Sequence, residues 1–543
     1  MKLKRVFLMF LVLIFTVSTL LVGCDTSRDS DKNDDKGEKN SKVVINLAAE
    51  PPELDSTVTT DTTSFTVLRH AMEGLIRLDE NNEVIPGVAE SWEISEDGLT
   101  YTFKLRDDSK WSNGDKVTAN DFEFAFKTLL SPETASEYAY ILTMIDKADD
   151  YNQDKAKADE VGVKAVDEST LEIKLNSPTP YFLSVMSFGV CMPVNEKFYQ
   201  KNESKYGSAA DKLVYNGPWI MKEWKHEDRI VLEKNPDYWN SDEIKIDTIE
   251  MLMMEDINAA FNKFLAGEID MTNIEPEKVE KAEEKGYEVG MYGDGATAYT
   301  LYNFKDELLK NQKIRKALSL AIDRESLTKY IHKGVYLPAY SYTSPTIKGE
   351  KSDSFAEEVG EILEKYDKDK AKKLWDEGLK ELGMDKAPEL EIIVGDSPIA
   401  KKDGQAIQEY IKKALDINVK ILSISFKDRL EKTKKGEFQL VEALWGPDYN
   451  DPMTFLDMFV TGGGMNQGYF ESKEYDKLVK DAKVESDPSK RFQMFKDMEK
   501  IIAEELPVAP LYFRQRVFLQ SEELTGLVRT NFQDINLYYA EMK

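Results

Sequence analysis

Between residues 99 and 105 apolar and polar side chains alternate, so that Leu99, Tyr101, Phe103 and Leu105 fall on one face of an extended chain. That period of two predicts a β-strand with one buried side. Asp97-Gly98 before it and Asn113-Gly114 after it are turn signals. The pattern then changes. Phe122, Ala125, Phe126 and Leu129 recur at helical spacing, and Thr118 with Asp121 three residues on has the capping-box arrangement, which predicts a helix beginning there. "TLEIKL" (170–175) and "RIVLEK" (229–234) read as strands, whereas "NQKIRKALSLAIDRESLTKYI" places Ile314, Ala317, Leu318, Ala321 and Ile322 on one helical face. Strands and helices alternate to the C-terminus, so the class is α/β with mixed α+β sheets.

The N-terminus has a different pattern. Lys2, Lys4 and Arg5 precede a run without charge from Val6 to Gly23, closed by "LVGC" at Cys24. This resembles the lipobox of bacterial lipoproteins, which implies a signal peptide over 1–23, cleavage before Cys24 and lipidation of that residue. An uncleaved membrane anchor is the alternative, because the run is near the lower length limit for spanning. Both place the bulk of the chain outside the cytoplasm and at a membrane. Residues 25–42, "DTSRDSDKNDDKGEKNSK", contain no apolar side chain and read as a disordered tether. Their acids do not make a calcium loop, since Lys36 stands where a loop starting at Asp31 needs its turn glycine.

Charge and composition narrow the function. With 543 residues the chain is too long for one core. Its 72 basic against 100 acidic residues give −28, which argues against a nucleic acid partner. Cys191 is the only thiol after Cys24, so no intramolecular disulfide is available to the mature chain; in "SFGVCMPV" it reads as a small buried hydrophobe. Only three histidines occur, His70, His226 and His332, and there is no HExxH, GxSxG or Walker loop. "SLTK" (326–329) matches SxxK by chance, without its companion motifs and inside an expected helix. Paired carboxylates for glycoside hydrolysis remain open among so many acids.

The stretch "ALWGPDYNDPMTFLDMF" (443–459) sets Asp448 among Trp445, Gly446, Pro447 and Tyr449, which suits either a turn or a site where a carboxylate meets a cation away from water. This stretch, with "EGLIRLDENNEVIPGVAESWEISEDGLTYTFKLRDDSKWSNGDKVTANDF", "YNGPWIMKEWKHEDRIVLEKNPDYWN", "LAGEIDMTN" and "KIRKALSLAIDRESL", occurs in the order seen in the oligopeptide-binding lipoproteins of ABC importers, solute-binding family 5 of peptide/nickel type. The chain resembles that family over nearly its whole mature length. The resemblance implies a two-lobed, periplasmic-binding-protein-like fold with an inserted domain and a hinge: lobe I from 43–72, 197–298 and 509–543, the insert at 73–196 and lobe II at 299–508. It also implies an oligopeptide held between the lobes, delivery to ABC permease subunits, a lipid anchor, a monomer, no cofactor or metal, and no enzymatic activity.

The resemblance further implies that, by position, Asp448 would take the ligand's α-ammonium and the extended residues Ala443, Leu444, Trp445 and Gly446 would pair with its backbone. It also implies that "TTDTTSF" (59–65) would offer Thr60 and Thr62 to the peptide's other edge, that Tyr138 would contact the ligand and that Trp445 would wall a side-chain pocket. One feature departs from the family. Where enterobacterial members carry basic residues for the ligand's C-terminal carboxylate, this chain has Glu442 and Ala400, an anion in place of a cation. That leaves Lys401, Lys402, Arg429 or solvent for the C-terminus. A receptor for sugar, nickel or haem on the same fold is the rival reading, against which the few histidines weigh for the last two.

Overall fold

The computed structural model describes residues 41–543; the export segment, Cys24 and the tether up to residue 40 lie outside the described residues. The Ser41 backbone N–H donates to the Asp247 carboxylate at 2.8 Å and Lys42 opens the strand Lys42–Asn46. The folded body therefore takes in two residues that composition had assigned to the tether.

An 11-stranded mixed sheet organises the described residues. From one edge its strands are Val419–Ile424, Leu390–Gly395, Leu440–Trp445, Val289–Tyr302, Val508–Gln520, Met271–Ile274, Lys42–Asn46, Thr248–Leu252, Arg229–Lys234 and Trp219–Lys225, and Leu337–Pro338 adds to Val508–Gln520. Two long antiparallel strands, Val289–Tyr302 and Val508–Gln520, join its halves. The first pairs with Leu440–Trp445 through residues 297–302, the second with Met271–Ile274 through residues 517–520. Their mutual register breaks between Gly293 and Thr297, where residues 294–296 stand opposite Arg514. A bulge of this kind bends a strand and re-aims its side chains.

The predicted alternation near residue 100 becomes the strand Thr100–Leu105, with Tyr101, Phe103 and Leu105 buried and Leu99 half-buried in the turn before it. It belongs to a separate four-stranded antiparallel sheet with Ala89–Ile94, Thr170–Lys174 and Val163–Asp167. The helix Ala119–Leu130 starts as expected. The Asp121 carboxylate accepts from the Thr118 backbone N–H at 2.8 Å and its hydroxyl at 3.1 Å, satisfying donors that a helix start leaves orphaned.

The five expected apolar positions lie inward, Ile314, Ala317 and Leu318 in the helix Gln312–Leu320 and Ala321 and Ile322 just past its end, but so does Arg315. Its guanidinium sits over the Phe304 ring at 3.9 Å and donates to the carbonyls of Leu309, Lys310 and Glu505. Buried Arg324 likewise reaches the Pro510 carbonyl at 2.6 Å, tying this helical layer to the strand Val508–Gln520. A charge is tolerated inside because each guanidinium nitrogen meets an acceptor. Within "SLTK", the Ser326 hydroxyl donates to Asp323 at 2.7 Å and Lys329 is exposed, so the pair is no nucleophile and base. Cys191 is fully buried and its thiol is pushed up by that burial. Among the described residues no helix is long and apolar enough to cross a membrane.

Candidate ligand cleft

A cavity of about 520 Å³ opens where the two crossing strands meet the rest of the sheet, within the range of small-ligand sites. Its walls bring together segments far apart in sequence: Thr60 and Thr62, Tyr138, Leu444, Gly446 and Asp448, and Asp294, Arg514 and Arg516 from the crossing strands.

The strand Leu440–Trp445 pairs with Val289–Tyr302 along its whole length, but with Leu390–Gly395 only at Leu440 and Val441. From Glu442 onward its second edge has no strand partner among the described residues, which leaves every second backbone N–H and C=O available to another extended chain. The period of two also sorts its side chains. Leu444 and Gly446 line the cavity, whereas Ala443 and Trp445 point away from it. Trp445 therefore does not wall the pocket as expected: it is half-buried against the core and its indole N–H donates to the Thr454 carbonyl at 2.8 Å. The contribution open to Ala443 is its backbone.

The segment 59–65 also differs from the expected extended edge. Thr60 and Thr62 both line the cavity, but the helix Thr62–Ala71 begins at Thr62, with Asp61 capping it by accepting from the Ser64 N–H at 2.8 Å. A chain already turning into a helix cannot continue a β-ladder beyond Thr62. Tyr138 packs edge-on against Phe65 and Phe188, at 6.1 and 5.0 Å between ring centroids.

Asp448 sits where strand gives way to loop. Its backbone N–H donates to the Thr454 hydroxyl at 3.1 Å, and its carboxylate accepts from the Tyr140 hydroxyl at 2.8 Å. No Lys or Arg pairs with this carboxylate among the described residues. Burial, with the nearby negative charge of Asp457, pushes its pKa up to about 6 against the opposing pull of the Tyr140 hydrogen bond. The Tyr140 hydroxyl is pushed up in turn, first by burial and then by Asp448. The sequence reading named Tyr138 and missed Tyr140.

The residues offered for the ligand's C-terminus, Lys401, Lys402 and Arg429, do not line the cavity: Lys401 is exposed and Lys402 pairs with Glu277 at 2.8 Å. Ala400 and Glu442, which stand where the family has basic residues, are buried. Nor is Glu442 simply an anion. Burial and then the neighbouring Asp403 carboxylate push its pKa up to about 8, against the pull of Arg429 and Arg514, so it is mostly protonated at neutral pH. None of the three histidines lines the cavity. His70 is locked between the Thr66 carbonyl at 2.7 Å and the Leu537 N–H at 3.2 Å, and burial lowers its pKa to about 4.

Residues 83–467 match the family described as "Bacterial extracellular solute-binding proteins, family 5 Middle". The chain belongs to this solute-binding family. It is 36% identical over 529 residues to the dipeptide-binding protein DppE of Bacillus subtilis, with 97% of each chain covered. It is also 36% identical over 538 residues to the oligopeptide-binding protein OppA of the same organism, again with 97% of each covered. Among solved structures, Listeria monocytogenes OppA bound to peptide superposes with a TM-score of 0.79 at 32% identity, covering 93% of this chain and 99% of that one. The fold of this family 5 protein is thus the two-domain architecture of the periplasmic peptide-binding proteins, and its relatives are binding proteins of transporters.

The crossing-strand residues escaped the sequence reading altogether. Asp294 and Arg514 are brought together only by the pairing of the two long strands. The repeat of Arg514 and Arg516 two residues apart in "YFRQRVF" was the one available signal that both project from the same strand face.

Proposed function

We propose that this chain is the lipid-anchored receptor of an ABC importer, which closes on oligopeptides in the 520 Å³ cleft and delivers them to the permease. The observation that carries the reading is Asp448: a partly buried carboxylate facing the cavity with no cation of the protein against it, beside a strand edge with no partner. A peptide supplies both missing partners, its α-ammonium and its backbone. The names of the relatives, dipeptide- and oligopeptide-binding proteins, point the same way.

In this reading lobe I (43–72, 197–298, 509–543) and lobe II (299–508) move about the two crossing strands, with the 73–196 segment as an accessory domain. Support comes from the sheet order, in which, among the described residues, those two strands join the halves of the sheet. The finer assignments, that Cys24 carries the lipid, that the receptor works as a monomer and that it turns nothing over, belong to the same proposal.

Calorimetry with a free-amine peptide series and its N-acetylated counterparts tests the reading. Free-amine peptides are expected to bind and acetylation to weaken them strongly. Failure of any peptide to bind, with a sugar or metal raising the melting temperature in the same buffer, would overturn it. For the anchor, Cys24→Ser should yield precursor or shed protein; a mature, lipid-labelled mutant would sink that part.

A further inference from the structure

On the crossing strands the cleft has a cationic wall with the opposite character to the Asp448 side. Arg514 and Arg516 project from one face of Val508–Gln520 and both donate through Nε to a single oxygen, Asp294 Oδ2, at 2.7 and 2.8 Å. Asp294 sits in the bulge of the partner strand, steadied by the Ala296 N–H at 3.2 Å. Anchoring both arginines by Nε fixes their planes and leaves the terminal nitrogens, the fork that matches a carboxylate, unspent. Among the described residues those nitrogens make no hydrogen bond. The Arg514 and Arg516 side chains are 29% and 46% exposed, and both line the cavity.

The neighbouring carboxylates offset them only in part, Asp534 acting on Arg516 as well as on Arg529 and Arg69. Asp534 is engaged by buried Arg529 at 3.1 Å, and Arg69 donates to the Phe532 carbonyl at 2.7 Å. Four guanidiniums thus face two carboxylates, a local excess of positive charge in a chain whose net charge is −28. This wall adjoins the Asp448 loop. Gly295, at φ +80°, lies so close to Pro447 that a Cβ there would come within 2.5 Å of its ring.

We propose that Arg514 and Arg516 form a carboxylate-binding subsite for the peptide ligand, so that the cleft recognises an anion as well as the ammonium at Asp448. This rests on the peptide-receptor reading and adds where the negative end is held. A closed cleft that shed water from two half-satisfied guanidiniums would be costly unless the ligand replaced it, which makes the arginines selective as well as attractive. The carboxylate can be the ligand's C-terminus or an acidic side chain, and both present the same planar pair of oxygens to the same fork.

The test uses tri-, tetra- and pentaalanine with free N-termini in three forms: C-terminal acid, C-terminal amide, and amide with one internal Ala replaced by Glu. On the wild type, a carboxylate-bearing form is expected to bind about tenfold or more tighter than the neutral amide, given one charge-assisted pair in a partly exposed site. Preference for the acid identifies the C-terminus, and preference for the Glu amide identifies a side chain. Arg516→Gln and Arg514→Gln should each abolish that preference. Arg516 is the more exposed, and Arg516→Gln decides the matter if the other variant does not fold. Equal binding of acid, Glu amide and neutral amide by the wild type would overturn the subsite, as would a preference that survives either substitution in folded protein. In both cases peptides still bind and the receptor reading stands. If no form binds at all, that reading fails and the subsite with it.

Discussion

Asp448 and Asp451 are three residues apart in "GPDYNDP", and the protein treats them in opposite ways. Asp451 is buried and faces Arg491 in a two-pronged pair, Nη1 to Oδ2 at 2.5 Å and Nη2 to Oδ1 at 2.9 Å, while its Oδ1 also accepts from the Met453 N–H at 3.0 Å. The Arg491 guanidinium is itself completed by the Ala482 carbonyl at 2.9 Å and packs over Phe495 at 4.6 Å. Asp448, set among tyrosines at the cavity wall, has one neutral hydrogen bond and no cation. What separates the two carboxylates is not burial. It is whether the chain itself supplies the counter-charge.

The largest expected effect comes from breaking the satisfied pair. Arg491→Leu leaves a buried carboxylate without its partner and should destabilise the protein by about 3–5 kcal/mol, whereas Arg491→Leu with Asp451→Leu should recover much of that loss. Denaturant unfolding of the two variants measures it. A single mutant as stable as the wild type would mean that Asp451 is not held by this pair, and the comparison with Asp448 would lose its reference.

Sequence alone could not have separated the two aspartates. Both follow a turn-forming residue, and only the resemblance to the family gave Asp448 a ligand role rather than a turn. Arg491, which decides the matter for Asp451, lies 40 positions away in another element. Local patterns fared better because the physics behind them is local: the strand at 100–105 and the capped helix after Thr118 form where alternation and the capping box place them. The same local logic was available and missed at Asp61, an N-cap residue just before the apolar run that starts at Phe65. The cationic wall was not legible, since Asp294 and Arg514 are 220 positions apart and meet only across the crossing strands.

Asp448→Asn probes the unsatisfied member. It keeps the shape but removes the charge expected to meet an ammonium, so affinity for free-amine peptides should fall by about 2–5 kcal/mol. Stability without ligand should not fall, because no ion pair of the protein is lost. The loss should not add to that caused by N-acetylating the peptide, since either change breaks the same interaction. Calorimetry on the four combinations tests this. Full affinity in the Asn variant would place Asp448 among ordinary turn residues.

The pH dependence sharpens the contrast. With the Asp448 pKa raised to about 6, the native state without ligand holds a proton that the unfolded state releases near its ordinary value. The Asp448 contribution to ligand-free stability therefore falls as pH rises through that window and is flat above about 6. Affinity runs the other way, because an ammonium needs the ionised form: it should be level from about pH 6 to about pH 7, before the peptide's own α-ammonium begins to titrate near about 8, and drop roughly tenfold per unit below about 6. Glu442, raised to about 8, adds a fall in stability with rising pH that extends up to that value. Affinity measured from pH 5 to 8 on the wild type and Asp448→Asn separates the groups, since only the wild type should show the break near 6.

Tyr140→Phe should give the smallest effect and the most specific one. The Tyr140 hydroxyl donates to Asp448 Oδ2 at 2.8 Å and favours the charged carboxylate. Removing it costs one hydrogen bond to an ionised acceptor, about 1.5–3 kcal/mol if the site were dry and less here, because the Tyr140 side chain is 47% exposed and water can replace the hydroxyl. A loss of roughly threefold to tenfold in peptide affinity at neutral pH is the expected result. The same deletion removes a force holding the Asp448 pKa down, so the break in the affinity profile should move above 6 and the loss should grow as the solution is acidified. A variant that merely disturbed the packing of Tyr138, whose ring centroid lies 5.9 Å from that of Tyr140, would weaken binding equally at all pH values. If the break stays where it is in the wild type, the hydroxyl does not tune the carboxylate, and the unsatisfied state of Asp448 is set by burial alone.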